Sequence, residues 1–352
     1  MSHQSHDISS VSKMKFLPLL LLTIPTVLSD SCFEVGVDYY GNDLEEGKYV
    51  SVPSAEACQA NCQGTSGCEF WTWDPTYHNS CWRKTAKTQT QSNPVVTSGP
   101  KYCDTPQPDP NQLKVMSYNM WDGIHSLDDP VRAGNIYNII RTFTPDLLGG
   151  QESRASVAYN IGNDYAAAGE ANGHTIIYRT SVLALNDYGN VNISPNDMYG
   201  VRSVEWAQFT HIATGTPVDH FNTHFCVCAG DGRCCGQEAQ YQSAKEAEEI
   251  IVAHKRQGSL IVFTGDFNVQ DGYENSKAIR HLKGEIDNPP VPLEDTFRAA
   301  NGAAADGTTF PGQGKIDYVF ASPGTSVASA VIDRGDYGPA SDHWPINAII
   351  NL

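Results

Sequence analysis

The chain has 352 residues, with 40 Asp and Glu against 23 Lys and Arg and a formal net charge of -17. That length suits two domains, or one large domain with an appendage. So acidic a surface repels polyanions at long range, which excludes broad electrostatic capture of nucleic acid and leaves only local or metal-assisted contact.

Lys13, Met14 and Lys15, then the apolar run Phe16–Leu28, then Ser29, Asp30 and Ser31 read as a secretory signal peptide, so residues 1–31 are expected to be a leader. The run is short and interrupted by Pro18 and Pro25, which argues against a transmembrane helix, and no later stretch could span a bilayer. The protein is therefore expected to be secreted. Ten cysteines in an exported chain imply disulfides.

Six of them, Cys32, Cys58, Cys62, Cys68, Cys81 and Cys103, bound a first domain at residues 32–103. Ser54 is placed to cap a short helix on which Cys58 and Cys62 face the same way, one turn apart. Phe70, Trp71 and Trp73 alternate with polar residues as a half-buried strand would. A domain this small cannot build a large core, and disulfide staples are the expected remedy. The pattern SAEACQANCQGTSGCEFWTWD, with CW and GPKYC after it, resembles the PAN/apple family. The resemblance implies Cys58–Cys81, Cys62–Cys68 and Cys32–Cys103 bridges, which the cysteine positions alone leave open, and a protein or glycan ligand.

Asp104–Asn111, with three prolines among polar residues, is a stiff linker, and a second domain is expected over residues 112–352. There strands and helices alternate. Leu113–Tyr118 reads as a strand ending at Asn119, and Asp129-Pro130 as the cap and first position of a helix whose apolar face is Ile136, Ile139, Ile140 and Phe143. Asp146–Gly149 is a strand that ends at Gln151-Glu152; Ile176–Tyr178 and Val204–Phe209 are two more. Val218–Phe225 alternates, with His220, Asn222 and His224 on one face. Glu238–His254 is a helix with Ala244, Ala247 and Ile251 on its apolar side. Ile316–Phe320 and Pro345–Ile350 are the last strands.

The run Leu260–Phe263 reads as a strand buried on both faces, and it ends in Gly265, Asp266, Phe267 and Asn268. Spacing of two puts Asp266 and Asn268 on one side if the chain stays extended. Taken alone, this is as good a turn as a site. What weighs toward a site is the ordered set of polar strand ends: Asn119, Glu152, Arg202, His224, Asp266, Asn268, Asp317, Asp342 and His343, each beside an apolar run.

In that order the segment Leu113–Leu352 is similar to the endonuclease/exonuclease/phosphatase superfamily, the deoxyribonuclease-I-like fold. The resemblance implies a four-layered α/β sandwich with its site at one edge where strands end. It also implies a divalent metal, Mg²⁺ with Mn²⁺ or Ca²⁺ as alternatives, held by Glu152, with Asn119, Asp266 and Asp342 completing the shell or holding a second ion. On the same pattern Asn119, Asn268 and Arg202 orient the phosphate, His343 is the general base, Asp317 fixes its tautomer, and His224 serves the departing oxygen. The chain departs from nuclease members at Gly169–Thr175, which matches none of the residues that support His224 and grip the DNA minor groove.

The remaining cysteines, Cys226, Cys228, Cys234 and Cys235, border His224. Four could bind zinc, but export favours two bridges from Cys234 and Cys235 back to Cys226 and Cys228. Asn192-Ile193-Ser194 is a glycosylation sequon followed by Pro195. The functional expectation is a secreted metal-dependent phosphodiesterase acting on nucleic acid. The rivals are a phosphatase or sphingomyelinase-like hydrolase of lipid or small phosphoesters, and an adhesion protein carrying a relic hydrolase domain.

Overall fold

The computed structural model describes residues 32–102, 109–122, 127–227, 235–272, 276–335 and 340–352. The expected leader, Cys103, Cys228 and Cys234 lie outside those residues. The chain divides into two compact units at the Asp104–Thr105 boundary. Among the described residues no helix is long and apolar enough to cross a membrane.

In the first unit one helix, Ala55–Gln63, packs on a five-stranded antiparallel sheet ordered Glu34–Tyr39, Thr90–Pro100, Phe70–Asp74, Ser80–Lys84 and Val50–Ser51. Ser54 starts the helix, its hydroxyl accepting the Ala57 N–H at 3.2 Å. Cys58 and Cys62 leave its inner face to bridge Cys81 and Cys68 respectively. Those sulfurs and Trp71 are the buried centre, so cross-links take up space that a larger domain fills with side-chain area. Cys32 is also disulfide-bonded.

The second unit contains two six-stranded sheets. The first sheet runs Val327–Ile332, Ile346–Asn351, Gln112–Asn119, Leu147–Gln151, His174–Arg179 and Tyr165–Ala171. The second runs Leu183–Asp197, Gly200–His211, Pro217–His224, Leu260–Asp266, Asp317–Ala321 and Glu294–Asp295. Three apolar clusters define their stacking. Met116, Leu148 and Ile177 of the first sheet meet Ile136, Ile139 and Ile140 of the helix Pro130–Phe143. Leu113, Val115 and Ile346 meet Phe209, Val218 and Val262 between the sheets. Phe221, Phe263 and Phe320 of the second sheet meet Ala244, Ala247 and Ile251 of the helix Gln237–His254. Three interfaces make four layers, helix, sheet, sheet, helix. Each large apolar side chain removed from water there contributes about 1.5–3 kcal/mol.

Elements begin where their local chemistry dictates. Asp129 accepts the N–H groups of Val131 and Arg132, and Pro130 fills the first helical turn where its missing N–H costs nothing. The strand after that helix starts at Leu147, one residue later than the hydrophobic pattern indicates. Asp146 is buried, but its carboxylate accepts the Lys114 N–H at 2.9 Å and pairs with Arg179 at 3.1 Å.

One strand pair in each sheet is parallel, and this positions the site. Gln112–Asn119 lies beside Leu147–Gln151 with Asn119 opposite Gln151, and Pro217–His224 lies beside Leu260–Asp266 with His224 opposite Asp266. Both pairs deliver their last residues to one rim. Gly265 lies so close to its neighbour strand that a Cβ there would meet the Thr223 carbonyl at 2.7 Å.

Candidate active site

Asp266 faces Asp317 directly across the antiparallel pair, so His224, Asp266 and Asp317 stand abreast at the end of the second sheet. Asn119 and Glu152 reach them from the first sheet. The Asn119 amide donates to Asp266 Oδ2 at 3.1 Å and to Glu152 Oε1 at 3.3 Å, joining the two sheets across the rim. His343 arrives on the chain before Ile346–Asn351. Ser341 Oγ donates to the Asn119 carbonyl at 2.7 Å and accepts the His343 N–H at 3.2 Å, which pins that segment. His343 Nδ1 then meets Asp317 Oδ2 at 2.9 Å, and its Nε2 lies 3.7 Å from Asp266 Oδ2.

The backbone is strained where it turns into this rim. Trp121, Glu152 and Asn268 all take left-handed φ values, 53°, 43° and 52°. Each costs of order 1–3 kcal/mol, and such strain gathers at functional sites. The turn at Asn268 also replaces the extended geometry that a spacing of two suggests. Its N–H bonds to Asp266 Oδ1 at 2.9 Å and its side-chain amide to the Phe225 carbonyl at 3.0 Å. Asp266 and Asn268 nevertheless line one cavity of about 740 Å³. Glu152, Arg202, His224, Asp342 and His343 line it too, while Asn119 and Asp317 stand behind it as partners of the lining residues.

Burial and crowded charge dominate the electrostatics. Burial, then the neighbouring Asp317 charge, pushes the Asp266 carboxyl up to about 7. Burial pulls His343 down, but the carboxylates of Asp317 and Asp266 outweigh it and lift the imidazole to about 10. Burial, helped by Arg202, holds His224 well below the usual histidine range. A buried carboxyl with a second carboxylate beside it is costly to ionise, and a divalent cation would offset that cost.

The donor set fits such an ion. Single ligand atoms of Asp266, Asp317 and His343 lie within 4.8 Å of one another. The His343–Asp317 bond occupies two of those groups, however, and a hard cation prefers oxygen. Glu152 and Asp266, whose oxygens converge on one Asn119 amide, are the better pair. Asn119 itself turns Oδ1 to the Trp121 N–H at 3.0 Å and so presents a donor, not a ligand oxygen, to the two carboxylates.

Arg202 is present at the cavity, but its fork is engaged: Nε meets Asp197 Oδ2 at 3.0 Å. Asp197 also accepts the N–H groups of Tyr199, at 2.9 Å, and Val227, at 3.1 Å. Cys226 is bridged to Cys235 beside this anchor.

Sequence patterns did not single out Asp197, His174 or Glu205. His174 lines the cavity with its ring centre 5.9 Å from that of His224, and its Nδ1 meets Glu205 Oε1 at 3.2 Å. Behind them the space between the sheets is polar. Asn222 Oδ1 accepts from Gln151 at 2.7 Å and from Thr264 at 3.0 Å, and His220 Nε2 meets Thr264 Oγ1 at 2.8 Å. Gly149 leaves room for this network, because a Cβ there would overlap Thr264 Oγ1 at 1.9 Å. The His220, Asn222 and His224 face of one strand was the visible trace of it.

Four layers with acids and histidines gathered at one strand rim define a hydrolase-type catalytic domain. The Endonuclease/Exonuclease/phosphatase family pattern matches residues 116–343, and the chain belongs to that family of phosphoester hydrolases. A PAN domain pattern matches residues 37–84. No curated protein matches the chain. Among solved structures, an endonuclease/exonuclease/phosphatase from Bacteroides vulgatus is 23% identical, with a TM-score of 0.54 over 68% of this chain and 99% of that one. A mannosyl-6-phosphatase from Bacteroides thetaiotaomicron is 20% identical, with a TM-score of 0.52 over 68% and 100%. D. rerio TDP2 complexed with a single-strand DNA product is 17% identical, with a TM-score of 0.54 over 68% and 99%. At these identities the likeness is one of fold.

Proposed function

We propose that the second unit, with its domain at residues 112–352, is an exported divalent-metal-dependent phosphoester hydrolase served by a protein- or glycan-binding module at residues 32–103. The carrying observation is the meeting of Glu152 and Asp266 with the His343–Asp317 pair at one cavity. Glu152 and Asp266 would hold the cation, Mg²⁺ first, with Asp342 at the same wall. That cation would neutralise phosphoryl oxygens and offset the carboxylate charge around His343. His343, with Asp317 on Nδ1, then takes the proton of the attacking water at Nε2. Asn268 and His224 face the phosphoryl group as donors. Arg202, braced by Asp197, gives that wall its positive charge.

One feature favours a small or terminal phosphoester over a long nucleic acid. Among the described residues lining the cavity Arg202 is the single Arg or Lys, and Asp197 engages it. Four acids and the rings of Trp121, Tyr199 and Phe310 line the same space. Such a wall suits a phosphate entering end-on beside an apolar or ring-shaped group, while a polyanion backbone needs a basic track. A panel of duplex DNA, RNA, sphingomyelin, sugar and inositol phosphates and a bis-aryl phosphodiester, with and without chelator, tests this. Metal-dependent turnover should be highest on the small esters. Highest turnover on duplex DNA would reverse the preference, and none on any member would overturn the proposal.

A further inference from the structure

We propose that His174, backed by Glu205, is the proton donor to the departing oxygen, a role separate from that of His224. The inference rests on the hydrolase reading of the site. Three histidines line the cavity, His174, His224 and His343. Two of them hold a carboxylate on Nδ1: His343 has Asp317 at 2.9 Å and His174 has Glu205 at 3.2 Å. His224 instead meets Asp266 Oδ2 at 3.4 Å, an oxygen that Asn119 also bonds and that His343 approaches. Asp266 is thus committed to the centre of the site, and Glu205 is free of it.

Glu205 is 5% exposed and firmly placed. Its Oε1 accepts Ser203 Oγ at 2.9 Å, and its Oε2 lies 3.5 Å from the Asn222 amide. So deep a carboxylate needs partners, and the His174 N–H is one of them. With Nδ1 given to Glu205, Nε2 is the nitrogen left for chemistry, as in the His343–Asp317 pair. His224, Arg202 and Glu152 are among the ionisable groups that line the cavity with His174.

Pairwise contacts link the side chains in the order His343, Asp266, His224, His174. In-line displacement puts the incoming and outgoing oxygens on opposite sides of phosphorus. A base at one end of that series and an acid at the other meet that demand. The water oxygen bonds to phosphorus and its proton passes to His343 Nε2. The bond from phosphorus to the leaving oxygen breaks with its electron pair on that oxygen, which takes the Nε2 proton of His174 acting as the imidazolium, while its Nδ1–H stays on Glu205. Solvent then returns a proton to His174 and removes one from His343.

The test is a leaving-group series on the full chain with saturating Mg²⁺: methyl aryl phosphodiesters of graded phenol acidity, ending in an alkyl ester. His174→Asn should slow the alkyl ester by the ~10²–10⁴ of a lost proton donor and leave the most acidic phenol within a few-fold. The plot of log kcat/KM against leaving-group pKa should steepen accordingly. Glu205→Gln should steepen it in the same sense by less, and serves alone if His174→Asn does not fold. An equal loss across the series, or none, in the folded variants overturns the assignment to His174. Glu152→Gln run alongside separates the two levels. If it keeps the full rate the hydrolase reading of the site fails, and if it loses activity while the slopes stay unchanged only the His174 proposal fails.

Discussion

The two ends of the space between the sheets of the second unit are built on opposite principles. At one end Leu113, Val115, Phe209, Val218, Val262 and Ile350 form one apolar cluster, and at the other His220, Asn222, Thr264, Gln151, Glu205 and His174 fill the same gap with hydrogen bonds. Three strands supply both ends, Gly200–His211, Pro217–His224 and Leu260–Asp266, and along them only the inward residues change. Pro217–His224 shows this within eight residues, from Val218 in the apolar cluster to His224 at the cavity. The apolar end supplies stability, and the polar end spends some of it to hold charged groups at fixed positions.

Variants at the two ends should therefore separate rate from stability. The largest effect belongs at the rim. His343→Ala should lower kcat by ~10²–10⁴, the range for losing a general base, with the thermal midpoint nearly unchanged. Asp317→Asn should be almost as harmful, and the double variant little worse than either, because the pair acts as a unit. Independent, multiplying losses in kcat would show that the 2.9 Å bond is not catalytic.

Next comes the apolar end. Phe209 is fully buried, and Phe209→Ala should cost about 3–5 kcal/mol in denaturant unfolding while folded enzyme keeps its kcat. A loss of kcat without loss of stability would mean that the two ends are not separable.

The smallest effect is a pH dependence at the boundary between them. Burial lowers His220 to about 3, below the 6.5 of an exposed histidine, so the folded state keeps it neutral. Its contribution is fully present above pH 6.5 and is lost as pH falls toward 3, because the unfolded chain then binds the proton that the folded one refuses. The loss is on the order of a few kcal/mol. In His220→Gln the fall of stability between those pH values should be shallower; an unchanged slope would place the titration elsewhere.

Much of this was legible in the sequence. The rim residues could be read because each lies beside an apolar run, as Asp266 follows Leu260–Phe263 and Asp317 precedes Tyr318–Phe320, and such a run marks the strand and its end. Cys58 and Cys62 could be read because a helix with a capping Ser54 turns them the same way. His174 and Glu205 could not, since their meaning lies in the pairing of two strands from different sheets. The long strand Leu183–Asp197 was hidden because it is an edge strand with Leu183 and Ile193 among its few buried apolar side chains, so neither apolar period marks it. Asp197 became visible only when its turn brought Arg202 and Val227 to it. At Asn268 the sequence left turn and extended strand end as equal readings, and the left-handed φ of 52° shows the turn.

The central claim is that Glu152 and Asp266 hold a cation on which hydrolysis depends. The most direct measurement is the initial rate of the full chain on a bis-aryl phosphodiester as Mg²⁺ is titrated after chelation, for wild type and Glu152→Gln. The account predicts no rate in chelator, recovery with Mg²⁺ or Mn²⁺, and a tenfold or greater rise, at the order-of-magnitude level, in the metal needed by Glu152→Gln. Full activity in excess chelator, or a variant with an unshifted metal titration, would contradict it.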